Sequence, residues 1–153
     1  MDEAAISRYI TDTFEGVEVV VASGDSFFFY DPDHNPDNRK FPFATLVAND
    51  NYDHASNLSR PSVFRLNIGV SKQTFRSLFA SQTSPSGAKD GVDGNYDFTA
   101  LDQIMPHPVY GRMYWVCVLN PSEATFQAVR PLLAEAYEMS VRKHDKKRPA
   151  EES

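Results

Sequence analysis

The chain has 153 residues, a net charge of -6, 41% hydrophobic and 24% charged residues. That is the size and composition of one ordinary globular domain, and no internal repeat suggests two. A lone cysteine, Cys117, excludes an internal disulfide, and no apolar run approaches the roughly 20 residues of a membrane span.

Eleven Phe and seven Tyr supply enough aromatic surface for a core without disulfides or a structural metal. The acidic Met1–Ala5 start lacks the basic flank and apolar stretch of a signal peptide, so the expected location is cytoplasmic. Charge is uneven: residues 1–141 carry -8 and residues 142–153 carry +2. An acidic body repels phosphate backbones, so nucleic acid is disfavoured as a partner, and a membrane partner is not expected.

Asp2 to Phe14 reads as a helix, with Ala5, Ile6, Tyr9 and Ile10 at helical spacing and Gly16 as its stop. Val17–Ala22 and Ser26–Tyr30 read as a hairpin about Ser23-Gly24-Asp25. Residues 31–42, with three prolines, form a loop, and Phe43–Val47 a third strand. After a polar loop over 49–61, Val63 to Val70 alternates. Val63, Arg65, Asn67 and Gly69 share one face, expected to be wet, and Phe64, Leu66, Ile68 and Val70 the other.

Ser71 caps a helix to about Phe79. The Ser-, Gly- and Asp-rich stretch 81–96 reads as a mobile segment, and 98–105 as a short helix. Met113–Leu119 is the last strand. A final helix presents Phe126, Val129, Leu133, Ala136 and Val141, with Pro131 either kinking it or marking its first turn. The expected domain is 1–143, with 144–153 a frayed, charged tail.

The expected fold class is therefore α+β, in the order α-β-β-β-β-α-(α)-β-α. It would hold an antiparallel sheet of four to six strands, with the N- and C-terminal helices packed on one face. There is no G-x-G-x-x-G, phosphate loop, G-x-S-x-G or H-E-x-x-H motif.

The leading helix ending in Phe14-Glu15-Gly16-Val17-Glu18, the segment His107 to Val116 and the closing helix Leu132 to Val141 together resemble the MmcQ/YjbR-like proteins, whose fold is similar to CyaY. That resemblance implies the fold above and a DNA-binding role, which the acidic body opposes. The segments Phe27–Asp33, Arg65–Val70 and Met105–Tyr110 more closely resemble an actinobacterial domain-of-unknown-function family of about this length, which implies no activity.

Several groups could carry chemistry. Asp31 to Asp37 spaces oxygen ligands as a calcium loop does, but Pro36 stands where Gly is needed and Pro42 where Glu is needed, so a solvated loop is the better reading. His34, His54 and His107 share no helical turn or strand face, and no metal or other cofactor is expected. Cys117, mid-strand, reads as an inert buried thiol. Arg65 and Asn67 form a same-face donor pair able to hold a carboxylate or phosphate, or an ordinary polar face with Arg65 paired to an internal carboxylate.

His107, bracketed by Pro106 and Pro108 and followed by Tyr110, is the most suggestive group: a stiff loop offering an acid/base pair, or a structural entry to the last strand. The expected ligand-binding set is Arg65, Asn67, His107 and Tyr110, with His107 and Tyr110 the catalytic candidates and the His107 ring opening onto the main cleft. Three functions stay open: a ligand- or partner-binding domain, which leads; an enzyme or biosynthetic accessory protein using the His107/Tyr110 pocket; and a DNA-binding module.

Overall fold

The computed structural model describes residues 1–50, 53–79 and 96–147. Helix α1 (Glu3–Thr13) starts where Asp2 accepts the Ala5 N–H at 2.8 Å, and Phe14 ends it in extended backbone. Gly16 follows at φ +77°, with Tyr30 and Pro32 so close that a side chain would force them to shift.

Strands β1 (Val17–Ala22) and β2 (Asp25–Tyr30) make the expected hairpin, closed by Ser23 and Gly24, both at positive φ. Then come β3 (Ala44–Val47), β4 (Arg65–Gly69), helix α2 (Lys72–Phe79), β5 (Met105–Pro106), β6 (Trp115–Leu119) and helix α3 (Glu123–Lys147). The six strands form one antiparallel sheet in the order β1-β2-β3-β4-β6-β5.

The sheet's pleat separates two interiors. On one face Phe28, Ala44, Leu46, Leu66, Ile68, Val116 and Val118 meet Ile6 and Ile10 of α1, Phe75 and Phe79 of α2, and Phe126, Val129 and Leu133 of α3. Each fully buried aliphatic or aromatic side chain there contributes about 1.5–3 kcal/mol. The terminal helices touch directly: Tyr9 meets Phe126 edge-on at 5.2 Å, and the Arg130 guanidinium lies 5.0 Å over the Tyr9 ring. Helix α3 also fixes α2, since Glu135 accepts the Ser71 N–H at 2.7 Å and the Thr74 hydroxyl at 2.5 Å. That places a carboxylate at the α2 N-terminus, where the helix dipole favours it.

The segment before β6 departs from expectation. Residues 98–105 form turns instead of a helix, with Asp102 at φ +59°, and Met105–Pro106 is an edge strand on β6, where a proline is tolerated. Helix α3 passes through Pro131, which lies on the exposed side opposite the Val129 and Leu133 stripe, so the carbonyl it leaves unpaired can be hydrated. The helix runs to Lys147, and His144 within it is buried against Tyr30 (ring centroids 5.2 Å apart) and reaches Asp33. The expected mobile stretch 81–96 lies, all but Tyr96, outside the described residues, as do 148–153 of the tail. Among the described residues no helix is long and apolar enough to cross a membrane.

Candidate functional site

The second face of the sheet carries Val47, Arg65, Asn67, Cys117 and Leu119, with Met105 on β5. It was expected to be wet. Instead Arg65 and Asn67 are only 2% and 3% exposed. The loop after β3 folds back over them, and Leu58 and Val63 join Val47, Met105, Cys117 and Leu119 in a second apolar cluster. Arg60 stitches this cover together by donating to the carbonyls of Ser56, Asn57 and Thr99.

Inside that layer four of the five Arg65 N–H groups have acceptors. Arg65 Nη1 and Nη2 donate to the two Asp53 oxygens at 3.1 and 2.8 Å, Nη1 to Ser56 Oγ at 2.9 Å, and Nε to Asn67 Oδ1 at 3.0 Å. Asn67 in turn donates to Thr45 Oγ1 at 2.9 Å. The anion that Arg65 holds is thus the chain's own Asp53, while Asn67 is taken up by Arg65 and Thr45. Burial alone would raise the Asp53 carboxyl, but the hydrogen bonds and charge of Arg65 and the Ala55 N–H hold it below its ordinary value.

His107 joins the same layer. It is 3% exposed, and its Nδ1 accepts the backbone N–H groups of Val109 and Tyr110, each at 3.0 Å. The neutral ring then carries its proton on Nε2, which faces Arg65 Nη2 at 3.4 Å. Burial and then the neighbouring guanidinium push its pKa down from 6.5 to about 3. No lone pair remains for abstracting a proton. Tyr110 is 52% exposed with its ring 5.1 Å from the imidazole.

Arg65, Asn67 and His107 thus lie in one buried layer with the Tyr110 ring against His107, and the His107 ring does not line the cleft described below. The two backbone donors turn it inward, and Pro106 and Pro108 serve the entry to β6, where His107 N donates to the Trp115 carbonyl.

The other candidates are also occupied. Asp31 is fully buried, accepting from Arg39 Nε at 2.7 Å and the Asn35 N–H at 2.9 Å. His34 pairs with Glu18, and His54 lies 4.0 Å from Asp50, so the three histidines have different partners. Among the described residues no three His, Cys, Asp or Glu are placed to hold a metal ion. Burial pushes the Cys117 thiol up to about 12, and it faces the Pro106 carbonyl.

An open concavity lies elsewhere among the described residues. β2 ends, β3 begins, β4 ends and β6 begins at one end of the sheet, where Phe28, Ala44, Ile68 and Val116 stand in register. The last turns of α3 cross that end and leave a cleft of about 360 Å³. Its walls include Phe41, Met113 and Trp115 on the loop side, Ala136, Met139 and Ser140 on the helix, and two lysines, Lys40 and Lys143. Gly69 forms part of the floor: a Cβ there would sit 3.0 Å from the Trp115 indole, so the indole lies flat on the strand because the residue is glycine.

The family model that matches the chain covers residues 1–149. The chain belongs to a family of unknown function, DUF6194. No curated protein and no solved structure matches it. Membership accords with the expected domain-of-unknown-function family, while the resemblance to MmcQ/YjbR-like proteins finds no support.

Sequence reasoning missed every residue of the cleft. The signal available was Lys40-Phe41-Pro42-Phe43, a cation and two aromatics around a proline in a loop otherwise built from polar residues. Its counterpart, Lys143, lies some hundred residues away, at the last residue before the tail expected to fray.

Proposed function

We propose that this DUF6194 member is a small-molecule-binding domain whose ligand occupies the cleft at the end of the sheet, beneath the last turns of α3. The observation that carries this reading is the cleft itself. Its volume of about 360 Å³ falls within the about 300–1,000 Å³ typical of ligand sites, and its wall combines aromatic and thioether side chains with a few polar groups. Two of its apolar side chains, Phe41 and Met113, are 75% and 67% exposed, so an apolar ligand would remove surface that the fold leaves in water. The layer around Arg65 supports the same choice by contrast, because it is buried and four of the five Arg65 N–H groups and the His107 Nδ1 already have internal partners.

Trp115 is the chain's single tryptophan and lines the cleft, so its fluorescence reports occupancy. Titration with the neutral apolar dye phenylnaphthylamine is expected to quench Trp115 saturably in the folded protein. Ser140→Phe, which places a ring in the cleft from the helix side, is expected to abolish that quenching without unfolding the chain. Quenching that persists unchanged in Ser140→Phe would refute the assignment of the site.

A further inference from the structure

We infer that the ligand of this cleft is an organic anion: an apolar, aromatic or aliphatic body bearing a carboxylate, sulfonate or phosphate group. This rests on the reading of the cleft as a ligand site and adds its chemical class. The chain carries 21 Asp and Glu against 15 Lys and Arg, yet the cleft is lined by Lys40 and Lys143, with His144 beside them and no carboxylate. Among the described residues neither lysine forms an ion pair. The nearby acidic groups have partners other than the two lysines, and Asp33 and Asp145 both lie against His144. Asp31 accepts from Arg39, Asp33 from His144, and Glu135 from Ser71 and Thr74.

Two free ammonium groups at the rim of an apolar, low-dielectric recess attract an anion more strongly than the same groups on an open surface. The apolar wall of Phe41, Met113, Met139 and Trp115 then selects anions with a body to bury, since inorganic ions gain nothing from it. The long, flexible lysine stems suit a point-charge interaction with carboxylate, sulfonate or phosphate alike, without the bidentate geometry that arginine would impose.

The test compares two dyes with the same apolar body: anilinonaphthalene sulfonate, which is anionic, and phenylnaphthylamine, which is neutral. Each is titrated against the full chain with Trp115 quenching as readout. The anion is expected to bind more tightly than the neutral dye. The double variant Lys40→Gln/Lys143→Gln is expected to weaken the anion by about five- to thirty-fold while leaving the neutral dye within twofold. Raising ionic strength should weaken only the anion, and only in the unsubstituted protein.

Equal binding of the two dyes, both blocked by Ser140→Phe, would leave the cleft a ligand site and overturn the anion preference. Anion binding untouched by the lysine double variant would overturn it too. Failure of both dyes to quench Trp115 would overturn the cleft reading along with it. Circular dichroism of the double variant checks that any loss reflects binding, and the retained neutral-dye affinity provides an independent check of folding.

Discussion

Two polar regions of this molecule sit within one sheet's width of each other and end in opposite states. On the covered face, Arg65 has Asp53, Ser56 and Asn67 as partners, and His107 has two backbone donors. At the strand ends, Lys40 and Lys143 face a cleft lined by Phe41, Met113 and Trp115, with no ion pair among the described residues. The first region has the residue types that suggest chemistry, but its bonds are used internally, and a buried polar group without a partner would cost about 1–3 kcal/mol. The second has unremarkable residue types and unspent interactions. Convergence of Arg, Asn and His is thus a poor guide to function until the partners have been counted.

The largest effect expected from breaking this contrast is on stability. Arg65→Met removes the buried partner of half-buried Asp53 and should destabilise the fold by about 3 kcal/mol in urea denaturation. Dye affinity of the remaining folded protein should not change. A loss of affinity with little loss of stability would reverse the roles assigned to the two regions.

Next is acid sensitivity. The folded pKa of His107 is depressed to about 3 from an unfolded value near 6.5. The unfolded chain therefore takes up the proton first as pH falls. Stability from this group is fully present above about pH 6.5 and is lost progressively down to about pH 3, by up to about 5 kcal/mol. Asp53, also depressed, adds a loss that begins below its ordinary value of 3.8. Urea denaturation at stepped pH should show the decline, and His107→Gln should flatten the upper part of it while lowering stability at neutral pH.

Smaller effects belong to the cleft. Ser140→Phe and Lys40→Gln/Lys143→Gln should each change stability by less than about 1 kcal/mol, because the side chains replaced are partly or largely exposed, while ligand binding falls. The smallest change comes from Gly69→Ala. The new Cβ would meet Trp115 Cε2 at 3.0 Å, so the indole must move by a few tenths of an ångström. A shift in Trp115 emission with dye affinity altered only a few-fold is the expected result. An unchanged emission spectrum would mean that the indole does not rest on Gly69.

Much of the fold was legible because its signals are local. Asp2 caps α1, Ser23-Gly24 turns the hairpin, Ser71 starts α2, and alternation along β4 assigned Arg65 and Asn67 to one face. The errors arose where tertiary contacts decide. Leu101, Ile104 and Met105 have helical spacing, but Met105 is drawn into pairing with Cys117 on β6. The face of Arg65 looked wet because its cover comes from a loop held by Arg60 to the Thr99 carbonyl, across 39 positions in the chain. The cleft was illegible for the same reason, since its walls come from segments between Tyr30 and His144 that only the antiparallel register brings to one end.

The claim that binding belongs to the strand-end cleft and not to the His107 layer is tested most directly by amide and indole chemical shifts of nitrogen-labelled protein titrated with anilinonaphthalene sulfonate. The Trp115 indole N–H and the Gly69, Val70 and Ser140 amides should move together and saturate, while Val109 and Tyr110, whose N–H groups are held by His107, should stay in place. Saturating shifts at Val109 and Tyr110 with Gly69 and Trp115 unmoved would contradict the account.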